Sequence, residues 1–364
     1  PKIHFSPEEG WMNDPNGMVY VDGVYHFFYQ KYPYDTSWGP MHWGHATSRD
    51  LIHWEHVGVA LFPSLSEDQN GCFSGSAVEE NGVMHLFYTG VHYNQVNPKD
   101  IHQCLDQDFT SAQLHLTSKD GMHFDVFGDK EVVIPALTDP EIGDNTHTRD
   151  PKVWKGSDAW YMVLGSTTKD HKGEALFYKS EDLSHWHLAG QATTKQKLGW
   201  MWECPDLFPL ADTHLLICCP QGLAREAQRF LNTYPAVWMA GRFDAERGIF
   251  DHGPLHELDS GFEFYAPQTM QADDGRRLLV GWMGVPDGDE MHQPTRAQGW
   301  IHQMTCVREL EWQAGTLYQR PLRELAALRE EAQGWCGQTL PLAPMELAFD
   351  IAPNSTLGLD FAGA

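Results

Sequence analysis

The sequence predicts an all-β fold, a five-bladed β-propeller, from two internal series that share one period and from the near absence of helical periodicity. The first series is the pattern S-x-D-x-x-H-aromatic. It occurs as Ser48-Arg-Asp-Leu-Ile-His-Trp54, as Ser118-Lys-Asp-Gly-Met-His-Phe124 and as Ser180-Glu-Asp-Leu-Ser-His-Trp186. The second is a set of short, apolar, aromatic-rich strand candidates at His26–Gln30, His85–Thr89, Tyr161–Gly165, His214–Cys219 and Leu278–Met283. Five starts imply five units of roughly 60 residues, each able to hold about four short strands, which fits propeller blades.

The elements follow in order. Val21-Asp-Gly23, Glu80-Asn-Gly82 and Asp273-Asp-Gly275 bound the strand candidates and read as hairpin turns, because Asn, Asp and Gly tolerate the left-handed backbone that tight hairpins need. The S-x-D-x-x-H copies are read as structural, since an element repeated in several blades stabilises each one whereas an active site is unique. Helical spacing and propensity arise only over Pro321–Gln333, which predicts one amphipathic helix. Leu340–Phe361 returns to apolar alternation, as in Met345-Glu-Leu-Ala-Phe-Asp-Ile351, and looks like the first strands of a further β module. The expected organisation is therefore a propeller over 1–320 and, over 321–364, a linker helix with the shortened start of a further β module, whose loss could uncover apolar propeller surface.

Fifty acidic residues against 25 Lys plus Arg leave a formal charge of −25. That field repels phosphate backbones and anionic membranes, so nucleic acid and membranes are not expected partners, and a neutral sugar fits more easily. Seven cysteines, without CxxC or regular spacing, indicate neither a disulfide framework nor a zinc site. Free thiols point to a reducing compartment, the cytoplasm, although a trimmed N-terminus opening on Pro1 would hide an export signal. No apolar run approaches the roughly 18 residues of a membrane span. The 20 histidines form no HExxH or comparable pattern, so no metal or other cofactor is expected.

Acidic residues beside prolines recur with the blades. Asp14-Pro15, Asp150-Pro151 and Glu203-Cys-Pro205 each precede a strand-like run, with Ser74-Gly-Ser76 and Tyr265-Ala-Pro267 in the remaining units. Equivalent positions on radial blades converge on one axis, and a following proline restricts the carboxylate's backbone. Three carboxylates meeting beside Trp11, Trp38, Trp43, Trp202 and Trp282 describe a polar, aromatic-walled pocket suited to a sugar ring. Like charges there push one pKa upward, so that one carboxyl serves as ionised nucleophile and another as proton donor. Asp139-Pro140 is read as an ordinary turn.

These residues resemble glycoside hydrolase family 32: WMNDPNG at Trp11–Gly17, WGPMHWGHA at Trp38–Ala46, FSGSA at Phe73–Ala77, RDPKVW at Arg149–Trp154, WECPDLF at Trp202–Phe208 and FYAPQ at Phe264–Gln268. The resemblance spans Pro1 to about Arg320 and implies a five-bladed propeller followed by a β-sandwich. It also implies roles in a retaining β-fructofuranosidase. Asp14 would attack the anomeric carbon, Glu203 would act as acid and then base, and Asp150 would bind fructose hydroxyls and stabilise the transition state. Asn13, Gln30, Trp38, Phe73, Ser74, Arg149, Tyr265 and Trp282 would line the fructose subsite. One departure is Glu263, where the family usually carries Asp.

Two other readings stay open at this point: an inverting propeller glycosidase of the arabinanase type, and an inactive sugar-binding propeller. Within the first reading sucrose is the default substrate, with sucrose 6-phosphate and short fructo-oligosaccharides as alternatives. A phosphate would need cations near the pocket, for which Lys31, Lys169 or Lys172 are available. Hydrolysis against fructosyl transfer, and the oligomeric state, have no sequence signal.

Overall fold

The computed structural model describes residues 3–194, 197–288, 290–331, 334, 344–348, 350 and 352–355. Five antiparallel sheets form the blades. Blade I holds Gly10–Val21, Val24–Tyr32, His42–Ser48 and Glu55–Leu61. Blade II holds Cys72–Glu80, Val83–Tyr93, Phe109–Ser118 and Glu131–Ile134, and blade III holds Arg149–Lys155, Trp160–Thr167, Gly173–Ser180 and His187–Thr193. Blade IV is Met201–Leu210, Thr213–Gln221, Val237–Asp244 and Ile249–Glu257, and blade V is Tyr265–Gln271, Arg277–Trp282, Arg308–Gln313 and Thr316–Pro321. The first strand of each blade packs against the first strands of its neighbours, so these five line the axis.

The ring is closed through the chain's own ends. Trp300–Ile301 adds in parallel beside Gly10–Trp11, the Gly10 amide donates to Gly299 O at 2.8 Å, and the Met304 amide donates to Phe5 O at 2.8 Å. Closure pairs the outer side of the axial strand of blade I, while the axial strands of the other four blades are sheet edges protected by packing against one another around the channel. The core lies between blades, one apolar cluster at each of the five interfaces, as where Phe28 and Trp43 of blade I meet Leu86 and Tyr88 of blade II. The hairpin turns are as expected: Asp22 and Gly23 take φ of 50° and 83°, and Asn81 and Gly82 take 54° and 80°.

The repeated S-x-D-x-x-H-aromatic element is a turn at the end of each third strand in blades I to III. In blade I, Ser48 Oγ accepts from the Leu51 amide, Asp50 Oδ1 accepts from the amides of Ile52 and His53, and Trp54 Nε1 donates to Leu51 O. Blade III repeats these bonds with Ser180, Asp182, His185 and Trp186. The residue after the aspartate sits in the left-handed region, Leu51 at 65°, Gly121 at 67° and Leu183 at 68°. The closing aromatic packs on the preceding blade, Phe124 against Phe28 and Trp186 against Phe87. The motif is thus a blade-to-blade fastener.

Blades I and II also share a buried histidine pair. His26 Nδ1 lies 3.0 Å from His45 Nε2, and His85 Nδ1 lies 2.8 Å from His115 Nε2. Burial, with the partner ring adding to it, draws His45 and His115 down to about 3. A histidine held below its unfolded value contributes stability that is present above pH 6.5 and is lost as pH falls toward the folded value. Each such group costs about 1.4 kcal/mol per pH unit across that window. His115→Gln is therefore expected to flatten the loss of stability between pH 6.5 and 4, measured by urea denaturation beside the wild type; parallel pH curves would contradict this.

One expectation is corrected. The helix expected over Pro321–Gln333 is only a 3-10 helix, Arg323–Leu328, with Pro321 ending the last strand of blade V and Gln333 outside the described residues. Leu322 offers no capping side chain, and so short a helix is marginal without one. Arg323 and Glu324 instead bond back to Glu309 and Arg276 of blade V. Of Leu340–Phe361, expected to begin a further β module, residues 340–343, 349, 351 and 356–361 lie outside the described residues.

Candidate active site

Every axial strand breaks its ladder at the same step. Pairing skips from Met12 to Pro15, from Cys72 to Gly75, from Arg149 to Lys152, from Glu203 to Asp206 and from Tyr265 to Gln268. Proline lacks an N–H for the ladder, which accounts for the break where Pro151, Pro205 and Pro267 lie inside it. In blade II the tight position is Gly75, where a Cβ would fall 1.9 Å from Phe87 O. The residue before each of those three prolines is left-handed: Asp150 at 65°, Cys204 at 48° and Ala266 at 46°. These bulges turn side chains toward the axis. They also correct the simple repeat reading, for Glu203 is the last paired residue before its bulge, Asp150 the first bulged residue of its strand and Asp14 the second of its own. The three carboxylates thus occupy successive steps of one bulge.

One cavity of about 1000 Å³ is lined by Asp14, Glu203 and Asp150 together with Asn13, Gln30, Trp38, Phe73, Ser74, Arg149, Tyr265 and Trp282, so all the residues expected from sequence meet in one place. Of the expected tryptophans, Trp11, Trp38 and Trp282 line it. Trp43 and Trp202 do not; both are buried between blades, with Trp202 pressed on Gly165 and Gly173 and donating to Leu198 O. Trp200 lines the cavity instead.

Each carboxylate has its own environment. Asp14 Oδ1 accepts from Asn13 Nδ2 at 2.9 Å, and Asn13 is itself held by Trp11 Nε1 at 2.8 Å. Asp14 Oδ2 accepts from Ser74 Oγ at 2.5 Å. Burial raises the Asp14 carboxyl, the bonds from Ser74 and Asn13 pull it back, and the charge of Glu203 pushes it up again. Asp150 donates its amide to Thr89 Oγ1 and accepts the Cys204 amide at 2.9 Å, which fastens it to blades II and IV. Burial pushes it up to about 7, with Arg149 opposing and Glu203 reinforcing. The structure therefore raises two carboxyls where the sequence argument expected one.

Glu203 Oε1 accepts from Arg149 Nη2 at 2.5 Å and Nε at 3.1 Å, while Oε2 accepts from Gln221 Nε2 at 2.7 Å and from the Tyr265 hydroxyl. Burial and the Glu203 charge hold the Tyr265 phenol far above its ordinary value, so it stays a donor. Cys204 Sγ lies 3.6 Å from both Asp14 Oδ2 and Asp150 Oδ2, and burial with those charges keeps it a neutral thiol. Gln221, Thr89 and His147, which lies 3.2 Å from Arg149 Nη1, carry no motif signal: strand pairing brings Gln221 to Glu203, Thr89 comes from the second strand of blade II and His147 from the loop before blade III. Cys204 and Asn16, the latter fully buried, did lie inside quoted motifs but have side chains no repeat argument singles out.

Among the described residues no group of three or more His, Cys, Asp or Glu could hold a metal ion, no helix is long and apolar enough to cross a membrane, and the described cysteines are free. None of Lys31, Lys169 and Lys172 lines the cavity: Lys31 is buried in blade I and Lys169 pairs with Glu141.

Comparisons with known proteins agree with this geometry. Residues 4–321 match the family model "Glycosyl hydrolases family 32 N-terminal domain". A sucrose-6-phosphate hydrolase of Klebsiella pneumoniae is 64% identical over 369 residues, covering 100% of this chain and 76% of the relative. One of Salmonella typhimurium is 52% identical, covering 100% and 75%. Among solved structures, a family 32 β-fructofuranosidase of Bombyx mori superposes with a TM-score of 0.80 at 38% identity, covering 91% of this chain and 67% of that one, and a variant of it has been solved with sucrose. With a matched family model over most of its length and relatives of this identity, the chain is a glycoside hydrolase and belongs to glycosyl hydrolase family 32.

Proposed function

We propose that this chain hydrolyses terminal β-D-fructofuranosidic bonds by a two-step retaining mechanism, with Asp14 as nucleophile, Glu203 as acid/base and Asp150 as the group that binds fructose hydroxyls. As a family 32 member with relatives named for sucrose 6-phosphate and raffinose cleavage, it is a β-fructofuranosidase. The observation that carries the assignment of roles is the single cavity in which three differently tethered carboxylates meet.

In the first step an Asp14 oxygen forms a bond to the anomeric carbon as the glycosidic C–O bond breaks, and Glu203 gives its proton to the departing oxygen. In the second, Glu203 takes a proton from water, which displaces Asp14 from the same carbon. Burial makes charge on Asp14 and Asp150 costly in the empty pocket, and for the same reason makes it strongly attractive to the positive charge that develops on the fructosyl ring. Ser74 and Asn13 fix the direction of Asp14, and Arg149, Gln221 and Tyr265 fix Glu203. Such orientation supplies a large share of the barrier reduction.

Sucrose is the substrate proposed for this acid-rich pocket, in which Arg149, already engaged by Glu203, is the sole Lys or Arg among the lining residues. Sucrose 6-phosphate is the second reading, favoured by the names of the relatives. Initial rates on sucrose, sucrose 6-phosphate, inulin and an arabinan test both: fructose release from at least one of the first two and no arabinose are expected, whereas arabinose release would overturn the reading. We further propose residence in the cytoplasm, from the unbridged cysteines, and a division near residue 320 between the propeller and a second module.

A further inference from the structure

Directly beneath the three carboxylates lies a second polar layer. The residues at which the axial strands re-enter their ladders in blades III, IV and V are Lys152, Asp206 and Gln268, all buried. Lys152 Nζ donates to Thr269 O at 2.5 Å and to Gln268 Oε1 at 3.4 Å, and stands 3.3 Å from Asp206 Oδ2. Asp206 Oδ2 in turn accepts from the amide and hydroxyl of Thr269 at 2.7 and 2.9 Å. Gln268 Nε2 reaches across to Gly75 O in blade II at 2.5 Å. Four blades are thereby joined in one layer at the axis.

We propose that the Lys152–Asp206 pair is a positioning device for the reaction, setting the distance between Asp150 and Glu203; this rests on the roles proposed above for those two carboxylates. Lys152 follows Asp150 through Pro151, and Asp206 follows Glu203 through Cys204 and Pro205, so each end of the ion pair is a short, φ-restricted segment away from one carboxylate. Apolar packing between blades tolerates small slips, whereas charged hydrogen bonds are directional and specify one arrangement. A buried ion pair is also poor value as a stabiliser, since apolar replacement of both partners is often neutral or better; among the described residues Asp206 Oδ1 has no hydrogen-bond partner, and Arg277 is a second cation acting on Asp206.

The test uses Lys152→Met combined with Asp206→Leu, and Asp206→Asn alone, in the whole chain. The double variant is expected to keep its Tm within a few degrees, while kcat on sucrose falls about 10- to 100-fold, KM stays within about threefold and the pH profile of kcat/KM shifts, as a small misplacement of reacting groups demands. Asp206→Asn is expected to show the same split more weakly. Wild-type kcat and pH profile in a folded double variant would overturn the proposal, as would unfolding of both variants, which would make the layer structural only. Failure of the underlying roles reads differently, as activity retained when Glu203 itself is replaced.

Discussion

Asp14→Ala is expected to lower kcat on sucrose by about 10⁴-fold or more, because removing a nucleophile removes the covalent route and leaves only binding and orientation. Asp14→Asn should lose activity comparably yet be more stable than the wild type at neutral pH. The sign follows from the raised Asp14 carboxyl. A carboxyl held above its unfolded value favours folding at pH below the ordinary carboxylate range, and that contribution is lost as pH rises through the folded value. Asparagine never pays this cost of charge burial, so the stability gap between the variants should widen with pH. Urea denaturation at pH 4 and pH 8, beside initial rates, reads both effects; equal gaps at the two pH values would contradict the burial argument.

Glu203→Ala has the second largest effect and a mixed origin. Loss of general acid/base assistance should lower kcat on sucrose by about 10²- to 10⁴-fold. A β-fructofuranoside with an acidic aryl leaving group needs no proton for bond cleavage, so its first step should survive. The substitution also strands Arg149, which is buried and paired with Glu203 at 2.5 Å. Both Glu203→Ala and Glu203→Gln leave that charge uncompensated, at a cost of about 3–5 kcal/mol, and Glu203→Ala also removes the acceptor of Arg149, a further loss of about 1–3 kcal/mol, so it should unfold at lower urea than Glu203→Gln. Equal urea midpoints for the two variants would show that the acceptor itself contributes nothing to stability.

Much of this was legible in the sequence because a propeller writes its period into the chain. The three S-x-D-x-x-H-aromatic copies proved to be one turn in which the aspartate accepts two backbone amides, with the aromatic of the second and third copies on the preceding blade. The five apolar segments are the second strands of the five blades. The acidic residues beside prolines do meet on the axis, since proline both restrains the preceding backbone and interrupts the ladder there.

What stayed hidden depends on strand pairing and on competition for side chains. Gln221 reaches Glu203 because Met201 pairs with Gln221 across blade IV, which no spacing reveals. Trp43 and Trp202 have the same residue type as Trp282, and only the face of the strand decides whether an indole meets the cavity or the next blade, while Trp38 reaches the cavity from the loop before His42–Ser48. The offset of one step between Asp14, Asp150 and Glu203 is likewise a property of the bulge rather than of the repeat length. The segment after Pro321 had helical propensity, but Arg323 and Glu324 find partners on blade V and the helix stops after two turns of 3-10 geometry.

The most direct test of the central claim is intact-protein and peptide mass spectrometry of Glu203→Gln after rapid mixing with an aryl β-D-fructofuranoside. In this variant the first step proceeds and the water-dependent second step is slowed, so a covalent adduct of one fructosyl unit should accumulate, and it should map to the peptide containing Asp14. Turnover of the aryl fructoside with no adduct, and with fructose released in inverted configuration, would contradict the account.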